Sequence, residues 1–387
     1  MPLANKTSRA GQAFVLPANH PSKEIPMKKT LIVAAALAAC GLAQAQSSAT
    51  LYGNVDLSLE SMKVTGQSAQ TRVTSGAGAP SKWGLRGEED LGNGLKAMFN
   101  LEAGFSADTG GVSAGKAFSR LANVGLKSAT LGELRLGKQW SPLADSMVWT
   151  DSDYASNFSP ITPLLLNGVA GPMHLRPDNA ISYSSPVFGG FSGKFLYAPS
   201  EVSGTDAMTD GSLTYRSGPV LANLAFHHEG KKSGAGGFES RNAYNLDASY
   251  DFRVAKVSGN YYRAKTDLAG ALGDPKVNGT VFGVTVPSGK LTYVAQYGFT
   301  SDNSVKWDGS AKAKGKSEHL NLGVNYAFSK RTIGYARLAK VMDENGAFNG
   351  GNAFGGQIGA YGVVGEVNGM PANGSGRTAA VGILHFF

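Results

Sequence analysis

The stretch "TLYGNVDLSLE", residues 50–60, decides the fold, because its apolar and polar side chains alternate with a period of two. Leu51, Val55, Leu57 and Leu59 share a face with Gly53, while Tyr52, Asn54, Asp56, Ser58 and Glu60 share the other. A helix would repeat every 3.6 residues; alternation is the mark of a strand with one apolar and one polar side. "LKAMFNLEAGF" (95–105) opposes Leu95, Ala97, Phe99, Leu101 and Phe105 to Lys96, Asn100 and Glu102. "YNLDASYDF" (244–252) sets Tyr244, Leu246, Ala248, Tyr250 and Phe252 against Asn245, Asp247, Ser249 and Asp251. "EHLNLGVNYAF" (318–328) does the same with Leu320, Leu322, Val324, Tyr326 and Phe328 against His319, Asn321 and Asn325.

A soluble sandwich also alternates, so the connections discriminate. About sixteen strand-like segments follow one another, near 49–61, 81–87, 94–105, 119–127, 132–139, 178–185, 190–199, 211–217, 219–228, 242–252, 254–265, 277–286, 290–300, 317–328, 331–340 and 377–387. Short connectors such as "SPVFGG", "SGP", "DFRV", "PSGK" and "SKR" alternate with long ones around 62–80, 106–118, 140–177, 200–210, 229–241, 266–276, 301–316 and 341–376. Sorting long loops to one side and tight turns to the other is the layout of an up-and-down transmembrane barrel, with both termini on the short-turn side. A sandwich has no reason to sort its connections this way. In hydrocarbon every backbone donor and acceptor needs a partner, and a sheet provides that only by closing on itself. The fold class is therefore all-β: a sixteen-stranded antiparallel transmembrane β-barrel whose polar face lines a lumen wide enough for water. Tyr183, Phe191, Tyr197, Tyr215, Tyr250, Phe252, Tyr326 and Phe328, near strand ends, are expected to form interfacial girdles.

Composition agrees. Of 387 residues 52 are glycine and 17% are charged, and no stretch after residue 45 approaches the roughly 18 to 20 apolar residues of a spanning helix. Residues 27–45, "MKKTLIVAAALAACGLAQA", carry Lys28-Lys29, an apolar run and a small-residue Ala43-Gln44-Ala45 site, which reads as a secretory signal peptide cut before Gln46. Residues 1–26 are polar and proline-containing, and read as an upstream extension that the working protein does not contain. A competing reading makes Cys40 the lipidated end of a lipoprotein signal. The first 45 residues hold Lys6, Arg9, Lys23, Lys28 and Lys29 against Glu24, so cutting there takes +4 of the formal +8 and leaves +4 on the barrel at 46–387. The one cysteine goes with it, leaving no disulfide or thiol chemistry.

Seven blocks in order carry a family resemblance: "SSATLYGNVD", "SKWGLRGEEDLGNGLKAMFNLEAGF", "GELRLGKQWSP", "RPDNAISYSSPVFGGF", "YDFRVAKVSGNYYRAKT", "NYAFSKRT" and the terminal "VGILHFF". The chain resembles the Gram-negative outer-membrane general diffusion porins, especially the trimeric, sixteen-stranded beta-proteobacterial type. The resemblance implies passive diffusion of small hydrophilic solutes and ions through each monomer of a homotrimer embedded in outer-membrane lipid and lipopolysaccharide. It also implies a third loop, here 140–177, folded into the lumen opposite a basic wall. On that loop Asp145, Asp151 and Asp153 are the candidate acids, and Ile161 to Leu166 an apolar segment able to pack on the wall. An ordinary external loop is the alternative.

For the basic wall, Lys82 stands where the family usually has arginine, and alternation with Trp83 and Leu85 points Lys82 and Arg86 inward. Arg176, beside Pro177, matches a wall arginine. Arg120 also matches, although simple alternation places it on the outward face of Ala122, Val124 and Leu126, a conflict that a bulge or a position above the membrane would resolve. Arg135 is expected inward between Leu134 and Leu136, and Lys138 outward near the rim. Cations facing sparse carboxylates across a narrow pore would favour anions mildly. Against this, Asp56, Glu60, Glu102, Asp247 and Asp251 also face the lumen by parity. Phe387 stands where the family's terminal aromatic is read by the outer-membrane assembly machinery.

Other chemistry is poorly supported. Gly111-Val112-Ser113-Ala114-Gly115 fits a nucleophile elbow but lies in a glycine-rich loop with no helix following, and "KAKGKS" (312–317) lacks the first glycine of a phosphate loop. His227-His228 reads as a solvated rim pair rather than a metal site. No cofactor and no enzymatic activity are expected, and the absence of a basic stripe with aromatic platforms argues against nucleic acid. A barrel enzyme, a substrate-specific channel and an adhesin are the alternative functions. The first needs a nucleophile and base together on the wall, and the second a denser arginine line or an aromatic ladder.

Overall fold

The computed structural model describes residues 48–162, 174–234, 237–268, 273–302, 313–345 and 373–387. The upstream extension, the signal peptide with Cys40, and residues 163–166 of the apolar loop segment lie outside them.

The strands are β1 (Ser48–Val64), β2 (Gln70–Ser75), β3 (Lys82–Gly92), β4 (Leu95–Gly104), β5 (Leu121–Ser128), β6 (Gly132–Lys138), β7 (Ile181–Ser184), β8 (Phe191–Ala198), β9 (Met208–Ser217), β10 (Val220–Glu229), β11 (Ser240–Asp251), β12 (Lys256–Asp267), β13 (Lys276–Ser288), β14 (Leu291–Asp302), β15 (Lys316–Ala327), β16 (Thr332–Glu344) and β17 (Ser375–Phe386). From β3 onward each strand pairs antiparallel with the next in sequence, and β17 returns to β1, Phe386 opposite Asn54 and Gly376 opposite Val64, to close the barrel. β2 and β3 are one interrupted stave: β2 pairs with Leu57–Met62 of β1 and β3 with Ser48–Asn54. The barrel thus has sixteen staves.

The expected long connector 62–80 therefore contains a strand. The segment after it, Gly76 to Ser81, turns into the lumen, where Asp56 of β1 accepts the Gly78 and Ala79 N–H groups at 3.0 and 2.8 Å and the Tyr335 hydroxyl at 2.6 Å. An internal carboxylate thus takes two of the backbone donors that the broken ladder no longer pairs.

Burial along β1 inverts the soluble pattern. Asp56 and Glu60 are 0% exposed, whereas Leu51 and Leu59 are 57% and 53% exposed. An outward apolar face with an inward polar face is stable only when the outside is lipid. Aromatics cluster at the short-turn end: Phe191 with Tyr215, Tyr250 with Phe252, and Tyr326 with Phe328 have ring centroids 4.5–5.0 Å apart. The β3–β4 turn, Gly92-Asn93-Gly94, has three positive φ angles, a conformation that glycine and asparagine tolerate.

At the C-terminus, the Phe387 N–H donates to the Gly53 carbonyl and its carbonyl accepts the Gly53 N–H, both at 3.1 Å. The Phe387 ring lies where a Gly53 side chain would stand, 2.6 Å from an ideal Cβ. The terminal aromatic thus seals the closing seam against β1.

Candidate functional site: a loop folded into the lumen

The third long connection leaves β6 and enters the barrel. It opens with helix α1 (Pro142–Thr150), capped by Ser141, whose hydroxyl accepts the Ala144 N–H at 3.2 Å, with proline in the first turn where no N–H is needed. Asp210 of β9 accepts the Leu143 N–H at 2.8 Å, fixing the positive helix end to the wall. Leu143, Ala144 and Met147 are fully buried against inward residues of β10–β13, namely Ala225, Ala243, Tyr262, Ala264, Val277 and Val281. These apolar residues interrupt an otherwise polar lumen face, and the helix covers them. Ile161 joins the same cluster.

Beyond the helix the loop follows the wall toward β1. Asp151 accepts from Ser159 Oγ at 2.8 Å and Gln296 Nε2 at 2.6 Å through one oxygen, and from the Asp153 and Ala155 N–H groups through the other. Burial pushes its carboxyl up to about 6 despite those hydrogen bonds, with the Asp153 charge adding to the rise. Asp153 receives Arg337 of β16 through Nη2 at 2.7 Å and Nε at 3.1 Å. Asn157 bonds the Ala77 and Gly76 carbonyls, and Phe158, fully buried, packs with Tyr335, Ala339 and Leu384. Asp151 and Asp153 therefore turn to the wall rather than to the open lumen. Asp145 alone of the three is substantially exposed; it accepts Trp149 Nε1 at 3.1 Å and lies 3.7 Å from Lys194 Nζ. Trp149 and Tyr154 are exposed on this loop.

The basic residues come from four separate segments. Glu102 of β4 accepts Arg120 Nε at 2.5 Å and the Tyr52 hydroxyl at 3.0 Å, and lies 4.0 Å from Lys82 Nζ. Lys82 is also within electrostatic reach of Arg120 and Arg176. Arg120 is buried and reaches inward, against simple alternation, because β5 begins only at Leu121 and pleat parity does not extend to the residue before it. Arg176 stacks on Trp140, its guanidinium carbon 3.6 Å from the ring centroid. Arg86 lies over Tyr52 at 5.2 Å, four residues and about 13 Å along the strand toward the short-turn end.

Arg135 binds Glu133 beside it and donates to Asn123 Oδ1 at 3.0 Å. Lys138 does not point outward: it donates to the Arg176 carbonyl at 2.8 Å and to Asp178 at 2.7 Å. Gly137, with φ of 109°, breaks the strand's phase just before it. Burial pushes the Asp178 carboxyl up, but the hydrogen bonds from Lys138 and Lys116 outweigh it and hold the group below its ordinary range.

The lumen acids expected from parity are engaged. Asp56 holds the Gly78 segment, Glu60 binds Arg72 at 3.2 Å, Glu102 binds Arg120, and Asp247 accepts from Asn223 at 2.5 Å and from Thr150 of the loop. Asp251 is exposed at the short-turn end.

His227 is not a solvated rim residue. It is 1% exposed, bonded to Asp210 at 3.0 Å and Glu229 at 2.9 Å, with Arg241 on Glu229 at 3.4 Å. The loop helix covers this stretch of wall, and only His228 points away, toward Asn242. Sequence reasoning did not single out Arg337 or this histidine network. Inward parity in "TIGYARLAK" would have flagged Arg337, whereas nothing local in the sequence marks what the loop covers.

The sequence model of the Gram-negative porin family matches residues 31–346. The chain belongs to the Gram-negative porin family. This porin is 35% identical to outer membrane porin protein 32 of Delftia acidovorans over 93% of the chain and 100% of the relative. It is 30% identical to an outer membrane porin protein of Bordetella pertussis, over 80% and 93%. The structure superposes on the anion-selective porin from Comamonas acidovorans with a TM-score of 0.74 at 30% identity, covering 88% of this chain and all of that one. OmpT of Vibrio cholerae, solved in a trimer form, shares the fold at 15% identity with a TM-score of 0.64. The protein is an outer-membrane porin, a non-enzymatic channel for passive diffusion of small hydrophilic solutes and ions.

Proposed function

We propose that the porin favours anions mildly, through a constriction in which Lys82, Arg86, Arg120, Arg135, Lys138 and Arg176 form the basic wall and the third loop forms the opposite side. The observation that carries this reading is the state of the carboxylates. Asp56, Glu60, Glu102, Asp247, Asp151 and Asp153 are each tied to a cation or to several hydrogen-bond donors, and Asp145, the half-buried acid of the loop, is paired with Lys194. Glu102 serves both Arg120 and Lys82, so that trio keeps a net positive charge. In a narrow, low-dielectric-walled pore such an excess raises the local anion concentration. The chain's likeness, at 30% identity, to the anion-selective porin from Comamonas acidovorans supports the same direction.

The functional unit in this reading is a homotrimer, as in the OmpT trimer form. The chain reaches the outer membrane by way of a signal peptide at 27–45, with Phe387 presented to the assembly machinery. Replacing Lys82 and Arg176 together by glutamate tests the wall. The reversal potential under a salt gradient should move toward cations, and an unchanged potential would remove both residues from the constriction.

A further inference from the structure

Four consecutive residues of the third loop are fastened to four different strands. Thr150 donates to Asp247 of β11, Asp151 accepts Gln296 of β14 at 2.6 Å, the Ser152 and Ser258 hydroxyls are 2.9 Å apart on the loop and β12, and Asp153 binds Arg337 of β16 at 2.7 Å. The residues on either side of this seam are both aromatic and both exposed, Trp149 at 57% and Tyr154 at 67%. On α1 the buried residues are Pro142, Leu143, Ala144, Ser146, Met147 and Thr150, which leaves Trp149 on the side turned from the wall. The two rings therefore stand on the lumen face of the loop, at most about 17 Å apart along the chain.

Both are held in place. Trp149 lies one helical turn after Asp145, and its Nε1 donates to that carboxylate at 3.1 Å, which fixes the indole by its edge. Lys194 of β8, 3.7 Å from Asp145, balances the charge beside the ring. Tyr154 and Ala155 each have φ of 50°, a left-handed conformation that residues with side chains seldom adopt. Asp151 enforces it by accepting the Asp153 and Ala155 N–H groups at 2.9 and 2.8 Å. Strain of this kind persists where the surroundings impose it, and it concentrates at ligand-handling positions. The other inward aromatics are already engaged: Phe158 and Tyr262 are fully buried, Tyr335 bonds Asp56, Tyr52 bonds Glu102, and Trp140 lies against Arg176.

We propose that Trp149 and Tyr154 form an aromatic platform in the lumen that selects planar aromatic carboxylates among the anions the channel passes. A flat ring stacks on indole or phenol, while its carboxylate is drawn by the cation surplus of the basic wall. The charge of the solute rests on the anion-favouring reading; its ring rests on the loop alone.

The test measures chloride conductance of the full-length barrel in a planar bilayer as benzoate, cyclohexanecarboxylate or benzamide is added. Benzoate should block at about fivefold lower concentration than cyclohexanecarboxylate, which has the charge and size without a π face. It should also block more strongly than benzamide, which has the ring without the charge. Trp149→Ala combined with Tyr154→Ala should bring the two acids to equal potency. Trp149→Phe combined with Tyr154→Phe keeps both rings, should keep the preference, and guards against displacement of the loop. A double alanine variant that still prefers benzoate would overturn the proposal, as would equal potency of the two acids in wild type. Block by maltose at the same concentration as benzoate would overturn it too, by marking a sugar platform. Benzamide matching benzoate, with the reversal potential still on the anion side, would overturn the proposal and leave the anion reading standing. A reversal potential on the cation side would instead overturn the anion reading, while a persisting preference for benzoate over cyclohexanecarboxylate would still support the platform.

Discussion

Asp153 of the third loop and Arg337 of β16 form a two-point ion pair inside the barrel, Nη2 to Oδ1 at 2.7 Å and Nε to Oδ2 at 3.1 Å, with both side chains almost fully buried. Asn321 donates to the same carboxylate at 3.1 Å. The pair fastens the far half of the loop to the wall. With the helix packed on β10–β13, it holds the connection inside the lumen along that side of the wall.

Asp153→Ala leaves the Arg337 guanidinium buried without its anion, a loss of about 3–5 kcal/mol in comparable buried pairs. The loop's far half should release while the barrel stays closed, because no ladder bond is touched. Single-channel recordings should show higher conductance with more flicker, at unchanged thermal stability of the barrel.

Asp151 makes the loop's seat pH-dependent. Its carboxyl is raised to about 6 by burial, so the docked loop prefers the protonated acid. The stabilisation from this group is full below the ordinary carboxyl value near 4 and is lost as pH rises through about 6. Channel noise attributable to the loop should increase between pH 4 and pH 6.5, and Asp151→Asn should flatten that dependence.

Phe158 is the apolar counterpart of the ion pair, fully buried with Tyr335, Ala339 and Leu384. Phe158→Ala should cost about 3–5 kcal/mol of local packing. Protease cleavage within the loop should accelerate, with the strands still resistant.

Phe387 joins the two ends of the barrel through paired backbone bonds with Gly53 and a ring over its Cα. Deleting it removes both hydrogen bonds and exposes the seam between β1 and β17. The yield of heat-resistant, membrane-inserted protein should fall severalfold, while the conductance of the molecules that insert stays the same. Gly53→Ala should impair assembly similarly, because its new Cβ meets the Lys82 carbonyl oxygen of β3 and the Phe387 ring.

The barrel was legible because lipid outside and water inside impose a period of two on every stave, and that signal is local. β2 escaped because the break at Gly76–Ser81 is held by Asp56 and Tyr335, residues distant in sequence. Lys138 and Arg120 departed from parity for local reasons: a left-handed Gly137 in one case and a strand beginning one residue later in the other. The acids of the third loop were found as residues but not in their orientation. Whether Asp151 and Asp153 face lumen or wall depends on Gln296 and Arg337, which only the closed barrel brings to them. His227 was misjudged as a rim residue for the same reason, since the loop helix that buries it arrives from about 80 residues away in sequence.

A water-filled channel narrowed by a fastened third loop and biased by the basic wall has a direct electrical signature. Purified protein in a planar bilayer under a tenfold salt gradient tests it most directly. Stepwise ohmic currents with a reversal potential modestly on the anion side are expected. Absence of discrete ohmic steps would contradict the channel, and a potential on the cation side would contradict the basic constriction.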